Sequence, residues 1–168
     1  DPGLGNTGSR VAGYKRACAE AGLALDPDLV RSGAFTRAHG EAATRALLAL
    51  AEPPTALFAG SNRILVGVLE VLGREGIRIP ADLSLAAFDD AEWLSIWNPP
   101  ITAVDIAVDE MARLAVDLLQ RRIAANSAPH KPVTYVLSTR LIERESCQRV
   151  ACSDAGRRGT ETPRREGR

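Results

Sequence analysis

Four short stretches of this chain carry side chains able to grip a small polar molecule: Arg10, Phe35, Ser61-Asn62 and Asp89-Asp90. An arginine donates through a planar fork, a carboxylate accepts from two neighbouring hydroxyls, and an aromatic ring covers the apolar C–H face of a sugar. Hydroxyl and amide groups do both jobs. The pattern favours binding a polyol or similar polar ligand over catalysis. Each member also has a purely local reading: Asp89 caps the turn after its strand, Arg10 is a solvated helix residue, Phe35 belongs to the core. What favours the site is their shared location, at the loops after successive strands.

Other chemistries find less support. No GxSxG, GxxxxGK[ST] or HRD-type element occurs, and isolated Ser, Asp and His residues do not make a triad, so no catalytic residue is assigned and the chain is not read as an enzyme. His39 and His130 lack metal-ligand spacing, and Cys18, Cys147 and Cys152 form an odd set without CxxC, so neither a metal site nor a cofactor is expected. The run Gly3-Leu4-Gly5-Asn6-Thr7-Gly8 has the G-x-G-x-x-G spacing of dinucleotide sites. That fingerprint needs a strand immediately before it, and only Asp1-Pro2 stands there. Asp26 and Asp28 fall in a turn, so an NAD-binding enzyme fragment stays a minor alternative.

The elements that must position these residues follow from periodicity. Ser9 is placed to cap a helix with the stripe Val11, Tyr14, Cys18 and Ala21, closed by Gly22. A short strand is expected from Leu29-Val30 to Ser32-Gly33. Thr36 then caps a second helix, turning Ala43, Leu47 and Leu50 inward until Pro53-Pro54. Thr55 to Ala59 reads as a buried strand, Ile64 to Leu72 as a helix closed by Gly76, and Leu83 to Phe88 as the next strand. A short turn with Trp93 and Trp97 follows, then a strand from Ile101 to Val104. A long helix runs from about Ala107 to Ala125 with the stripe Val108, Met111, Ala115, Leu118 and Leu119. Residues 126–131 are expected as a loop, and Val133 to Ile142 as a strand pair or one bent strand. Alternating strands and helices imply an α/β fold with a doubly wound, mostly parallel sheet, whose ligands gather at the strand carboxyl ends.

The 168 residues are 45% apolar and 25% charged, the profile of a globular chain, with no apolar run near the roughly 18 residues needed to span a bilayer. Lys+Arg and Asp+Glu both total 21, so no global basic field draws the chain to nucleic acid. The balance is uneven. Residues 149–168 hold six Arg against three acids, leaving 15 basic and 18 acidic residues upstream. Residues 151–168 lack Leu, Ile, Phe and Val, and are expected to form a disordered basic tail. The cysteine usage suits a reducing cytoplasm.

Taken in order, Arg10-Val11-Ala12-Gly13-Tyr14, Pro54-Thr55-Ala56-Leu57-Phe58-Ala59, Gly67, Gly76 to Ser84 (GIRIPADLS), Phe88-Asp89-Asp90, Pro100-Ile101-Thr102 and Leu141 to Ser146 (LIERES) resemble the C-terminal half of LacI/GalR-type bacterial transcriptional regulators. The resemblance runs from about Asn6 to Ser146, and periplasmic sugar-binding proteins, the alternative reading, usually lack the LIERES ending. It implies a periplasmic-binding-protein-like effector-sensing lobe over residues 1–148, incomplete at the N-terminus, with about 103–125 crossing to an absent N-terminal lobe. The stripe of that crossing helix would then lack its partner and leave the lone chain sticky. It further implies a cytoplasmic homodimer that binds a sugar or nucleobase and meets DNA only through a headpiece outside this chain. Carried over by position, Arg10 donates to the effector, Phe35 lies against it and Asp89 accepts from it. Ser61-Asn62 stands where the family commonly reads Asn-Asp, and Trp97 lies near the dimer contact. Ala87 replaces a common Gly.

Overall fold

The computed structural model describes residues 6–124 and 133–149. Helix α1 (Asn6–Glu20), a 3-10 turn (Pro27–Leu29) and α2 (Arg37–Leu48) precede β1 (Ala56–Ala59), α3 (Asn62–Arg74) and β2 (Ser84–Phe88). Then come α4 (Trp93–Ile96), β3 (Thr102–Asp105), α5 (Val108–Ala124) and β4 (Arg140–Ile142). The sheet order is β1-β2-β3-β4, parallel across the first three strands, with β4 antiparallel to β3. The α/β class and the parallel sheet are therefore as the residues imply.

Strand alternation decides what each sheet face meets. Ala59, Leu85, Ala87 and Ala103 join Leu65, Val68, Leu69 and Leu72 of α3 in the core, with Leu94 and Ile101. Ser84, Ala86 and Phe88 point to the opposite face. Helix α2 stacks on α3 at backbone contact: a Cβ on Gly67 would strike the Arg37 carbonyl, and one on Gly40 the Ile64 carbonyl. Only glycine permits that approach. Thr44 is buried beside this crossing and its hydroxyl donates to the Gly40 carbonyl at 2.8 Å.

Local chemistry sets the helix ends. Thr36 Oγ1 accepts from the His39 amide at 3.2 Å and starts α2, while Ser61 Oγ accepts from the Ile64 amide at 3.3 Å and starts α3. Gly76, at φ +67°, lets the Ile77 amide return to the Leu72 carbonyl at 2.9 Å and closes α3.

The segment after β4 ties the strands together. Ser146 is wholly buried, its Oγ accepting from the Thr102 amide at 2.8 Å and donating to the Leu85 carbonyl at 2.5 Å. The Leu85 amide donates to the Ser146 carbonyl at 2.8 Å. One serine thus bridges β2 and β3.

Several expectations need correcting. No strand forms from Leu29 to Gly33: Asp26 Oδ1 caps Asp28 and Pro27 opens a 3-10 turn instead. Val30 is extended, but a cavity of about 450 Å³ lies between this segment and the free edge of β1, so no ladder forms. The first helix is already formed at Asn6 rather than starting after a Ser9 cap, and none of its described side chains is buried. Of Val133 to Ile142 only Arg140–Ile142 pairs with the sheet. The expected Trp93 turn is a single helical turn. The loop at 126–131 and the tail beyond 149, with His130 and Cys152, lie outside the described residues.

Candidate functional site

Two carboxyl strand ends converge on one rim of the sheet. After β1 the chain passes through Gly60 to the Ser61 cap and Asn62, the first residue of α3. After β2 it turns at Asp89, whose φ of 73° is rare for a residue with a side chain. That conformation is held by the Asp89 amide donating to Val104 O at 3.1 Å and the Ala91 amide donating to Asp89 O at 3.1 Å.

Two buried oxygens at this rim have no hydrogen-bond partner among the described residues: Asn62 Oδ1 and Asp89 Oδ1. An orphaned buried acceptor costs about 1 to 3 kcal/mol, so it marks a place where a donor belongs. Both are acceptors, and both sit where a strand ends.

The adjacent carboxylate has another role. Asp90 forms a two-bond fork with Arg144, Nη1 to Oδ1 at 2.7 Å and Nη2 to Oδ2 at 2.8 Å, with both side chains about one-sixth exposed. Arg144 Nη1 also donates to the Ile101 carbonyl at 2.7 Å, and the Arg144 amide to Thr102 Oγ1 at 2.9 Å. Its hydrogen bond to Asp90 raises the Arg144 pKa above the ordinary guanidinium value. The paired Asp89-Asp90 therefore divides: Asp90 anchors the turn, and Asp89 keeps a buried oxygen without a partner among the described residues.

Arg10 reaches the same rim from α1. Its Nη1 donates to the Gly60 carbonyl, and its guanidinium carbon lies 3.7 Å from the Phe88 ring centroid and 5.3 Å from that of Phe35. Both distances are within cation–π range. Since Phe88 faces away from α3, Arg10 covers the face of the sheet that the core leaves open.

The structure thus places Ser61, Asn62 and Asp89 just after the ends of β1 and β2, with Ser61 committed as acceptor to its helix cap, while Arg10 reaches that rim from α1 and Phe35 lies beside Arg10. Trp97 stands apart, 42% exposed and edge-on to Trp93 at 6.0 Å, next to Ile96 at 84% exposure. The apolar cavity along β1 shares Arg10, Phe35 and Gly60 at its rim, but neither Asn62 nor Asp89 lines it. It is not the polar site. Sequence reasoning missed Phe88 as a partner of Arg10 and Arg144 as the anchor of Asp90. The first was signalled by the strand parity of Phe88, while no sequence signal pairs residues 54 positions apart.

Comparison with known proteins agrees with the fold. The periplasmic binding protein-like domain matches residues 1–147. The ribose operon repressor of Haemophilus influenzae is 34% identical over 138 residues, which are 82% of this chain and 41% of that protein. A probable opine utilization operon repressor of Rhizobium rhizogenes is 35% identical over 149 residues, 88% of this chain and 73% of that one. A solved complex of the transcriptional regulator CelR with cellobiose superimposes with a TM-score of 0.73 at 37% identity, covering 82% of this chain and 41% of that chain. CelR belongs to Thermobifida fusca. The chain thus spans about two fifths of the ribose and cellobiose regulators.

Proposed function

The chain belongs to the periplasmic binding protein-like domain family, within the LacI/GalR-type transcriptional regulators, and from that premise we propose that it is the effector-sensing lobe of such a regulator. The family is one of regulators rather than enzymes. The observation that carries the reading is the orphaned pair of buried acceptors, Asp89 Oδ1 and Asn62 Oδ1, at the rim that Arg10 also reaches. Asp89 and Asn62 accept from hydroxyl or N–H groups of a sugar or nucleobase, Arg10 donates, Phe35 covers an apolar face, and Ser61 donates its hydroxyl proton.

The rest of the assembly extends the proposal. Effector binding shifts operator affinity through a DNA-binding headpiece outside this chain, in a cytoplasmic homodimer. The exposed Ile96-Trp97 pair suits the dimer contact. Residues 1–148 form the sensor, and the expected crossing at about 103–125 begins only after β3, because Ala103 to Asp105 pair within the sheet. The exposed stripe on α5 supports the crossing. Among the described residues no helix is long and apolar enough to cross a membrane.

A thermal-shift screen of ribose, cellobiose and purines tests the site, because a ligand bound only by the folded state raises its stability. The expected result is a concentration-dependent rise in Tm with one class. In the complete two-lobed regulator, Asp89→Ala should weaken the binding of that class by about 1.5 to 3 kcal/mol, as for a hydrogen bond to a charged group. Unchanged affinity in Asp89→Ala removes the carboxylate from the site. Trp97→Ala leaving the association state of the complete regulator unchanged refutes the interface.

A further inference from the structure

Phe88 is the last residue of β2, immediately before the carboxylate with the spare oxygen, and its ring carries the Arg10 guanidinium at 3.7 Å. Arg10 is held from two directions. The guanidinium carbon lies over the Phe88 ring, and the Gly60 carbonyl accepts from one guanidinium N–H. The helix bearing Arg10 does not do this by packing, since no described side chain of α1 is buried.

The kind of support matters as much as the contact. No carboxylate among the described residues pairs with Arg10. A carboxylate would neutralise the charge and occupy two donors, whereas a ring face holds the cation through its quadrupole and leaves the in-plane N–H groups free. A long side chain already fixed also loses less rotamer freedom when a ligand arrives. Of the two rings near Arg10, Phe35 is the more distant at 5.3 Å. That asymmetry gives the platform to Phe88 and leaves Phe35 available to a ligand.

We propose that Phe88 is a positioning residue of the effector site, a platform that fixes the Arg10 guanidinium at the sheet rim with its charge intact. The importance of the platform rests on the proposed reading of Arg10 as an effector donor. Its existence is testable without any ligand.

The experiment is nuclear magnetic resonance of the full ¹⁵N-labelled chain, with the Arg10 Hε signal assigned by its loss in Arg10→Lys. A proton held over a ring face is shielded, so the Arg10 Hε should lie upfield of the other arginine Hε signals. Phe88→Leu should return it to their range, Phe88→Tyr should keep it upfield, and Phe35→Leu should move it little. Preserved amide dispersion for Leu65, Leu72 and Leu85 shows that each variant is folded. If Phe88→Leu does not fold, a nuclear Overhauser contact between the Phe88 ring and the Arg10 side chain in the unmodified chain decides. An Arg10 signal that is unshifted, that ignores Phe88→Leu, or that lacks this contact overturns the proposal. A ligand screen with no positive result would overturn the functional reading and leave these signals as they are.

Discussion

Helix α3 buries Leu65, Gly67, Val68, Leu69, Val71 and Leu72, whereas α5, whose apolar residues also recur at helical spacing, buries nothing among the described residues. Val108, Met111, Val116, Leu119 and Ile123 of α5 are each 48% to 71% exposed. Locally α5 is the better furnished of the two. Asp109 and Glu110 occupy its first turn and Arg121 and Arg122 its last, matching the helix dipole, and Asp117 pairs with Arg121 at 2.9 Å. Helix α3 has no acidic residue in its first turn and one cap hydroxyl. The difference teaches that spacing and end chemistry suffice to make a helix, while burial is decided by what lies opposite.

The sharpest way to break that comparison is to remove matched side chains. Leu72, 1% exposed within the core, should lose about 2 to 5 kcal/mol on truncation to Ala, because a cavity is left that its neighbours only partly fill. Leu119→Ala should stay within about 0.5 kcal/mol. Urea unfolding of both variants measures the contrast, and equal losses would mean that α5 is packed in solution.

A smaller effect is expected where the core is held by a polar group rather than volume. Ser146→Ala removes the partner of the Thr102 amide and of the Leu85 carbonyl in one step, both within the sheet. The expected loss is about 1 to 3 kcal/mol, the cost of buried groups left unpaired. Denaturation midpoints check it, and hydrogen exchange should quicken at the Thr102 amide before that of Leu65. Uniform quickening throughout the core would count against a local anchor.

The smallest effect lies on the surface beyond α3. Asp82 receives bonds from the Arg78 amide at 2.9 Å, Nε at 2.8 Å and Nη2 at 2.6 Å, and its pKa falls to about 2, first through the Arg78 side chain and then its amide. An unfolded aspartate titrates near about 3.9. The folded carboxylate therefore binds its proton less readily, and its contribution to stability is present above that unfolded value and lost as pH falls toward the folded one. Asp82→Asn should flatten the acid limb of the stability profile slightly, as followed by urea midpoints between pH 5 and pH 2. Because the pair is exposed, high salt should shrink the difference.

Much of the fold was legible. Thr36 and Gly76 bound α2 and α3 as their types imply, the Ser61 cap was not among the expectations, and the apolar runs around Leu57 and Leu85 form parallel strands because both bury one face against α3. The expected strand at Leu29 to Gly33 failed for a physical reason visible only in space. A strand needs a neighbour, and across from Val30 lies a cavity. The residues of the site were legible by type, but not their division of labour. Asp89 and Asp90 are identical in chemistry and adjacent in sequence, yet one is forked to Arg144 and the other keeps a spare oxygen.

Besides residue type itself, the sequence alone determined most of the alternation of helix and strand and the helix ends at Thr36 and Gly76, because these follow from local dihedral and hydrogen-bond preferences. Only the tertiary structure decided which carboxylate is free, which ring supports Arg10 and which apolar stripe is covered. Those outcomes depend on pairs such as Asp90 with Arg144 and Phe88 with Arg10, brought together by chain reversals. A residue's type sets what it can bond to, and the fold sets which of those partners comes within reach.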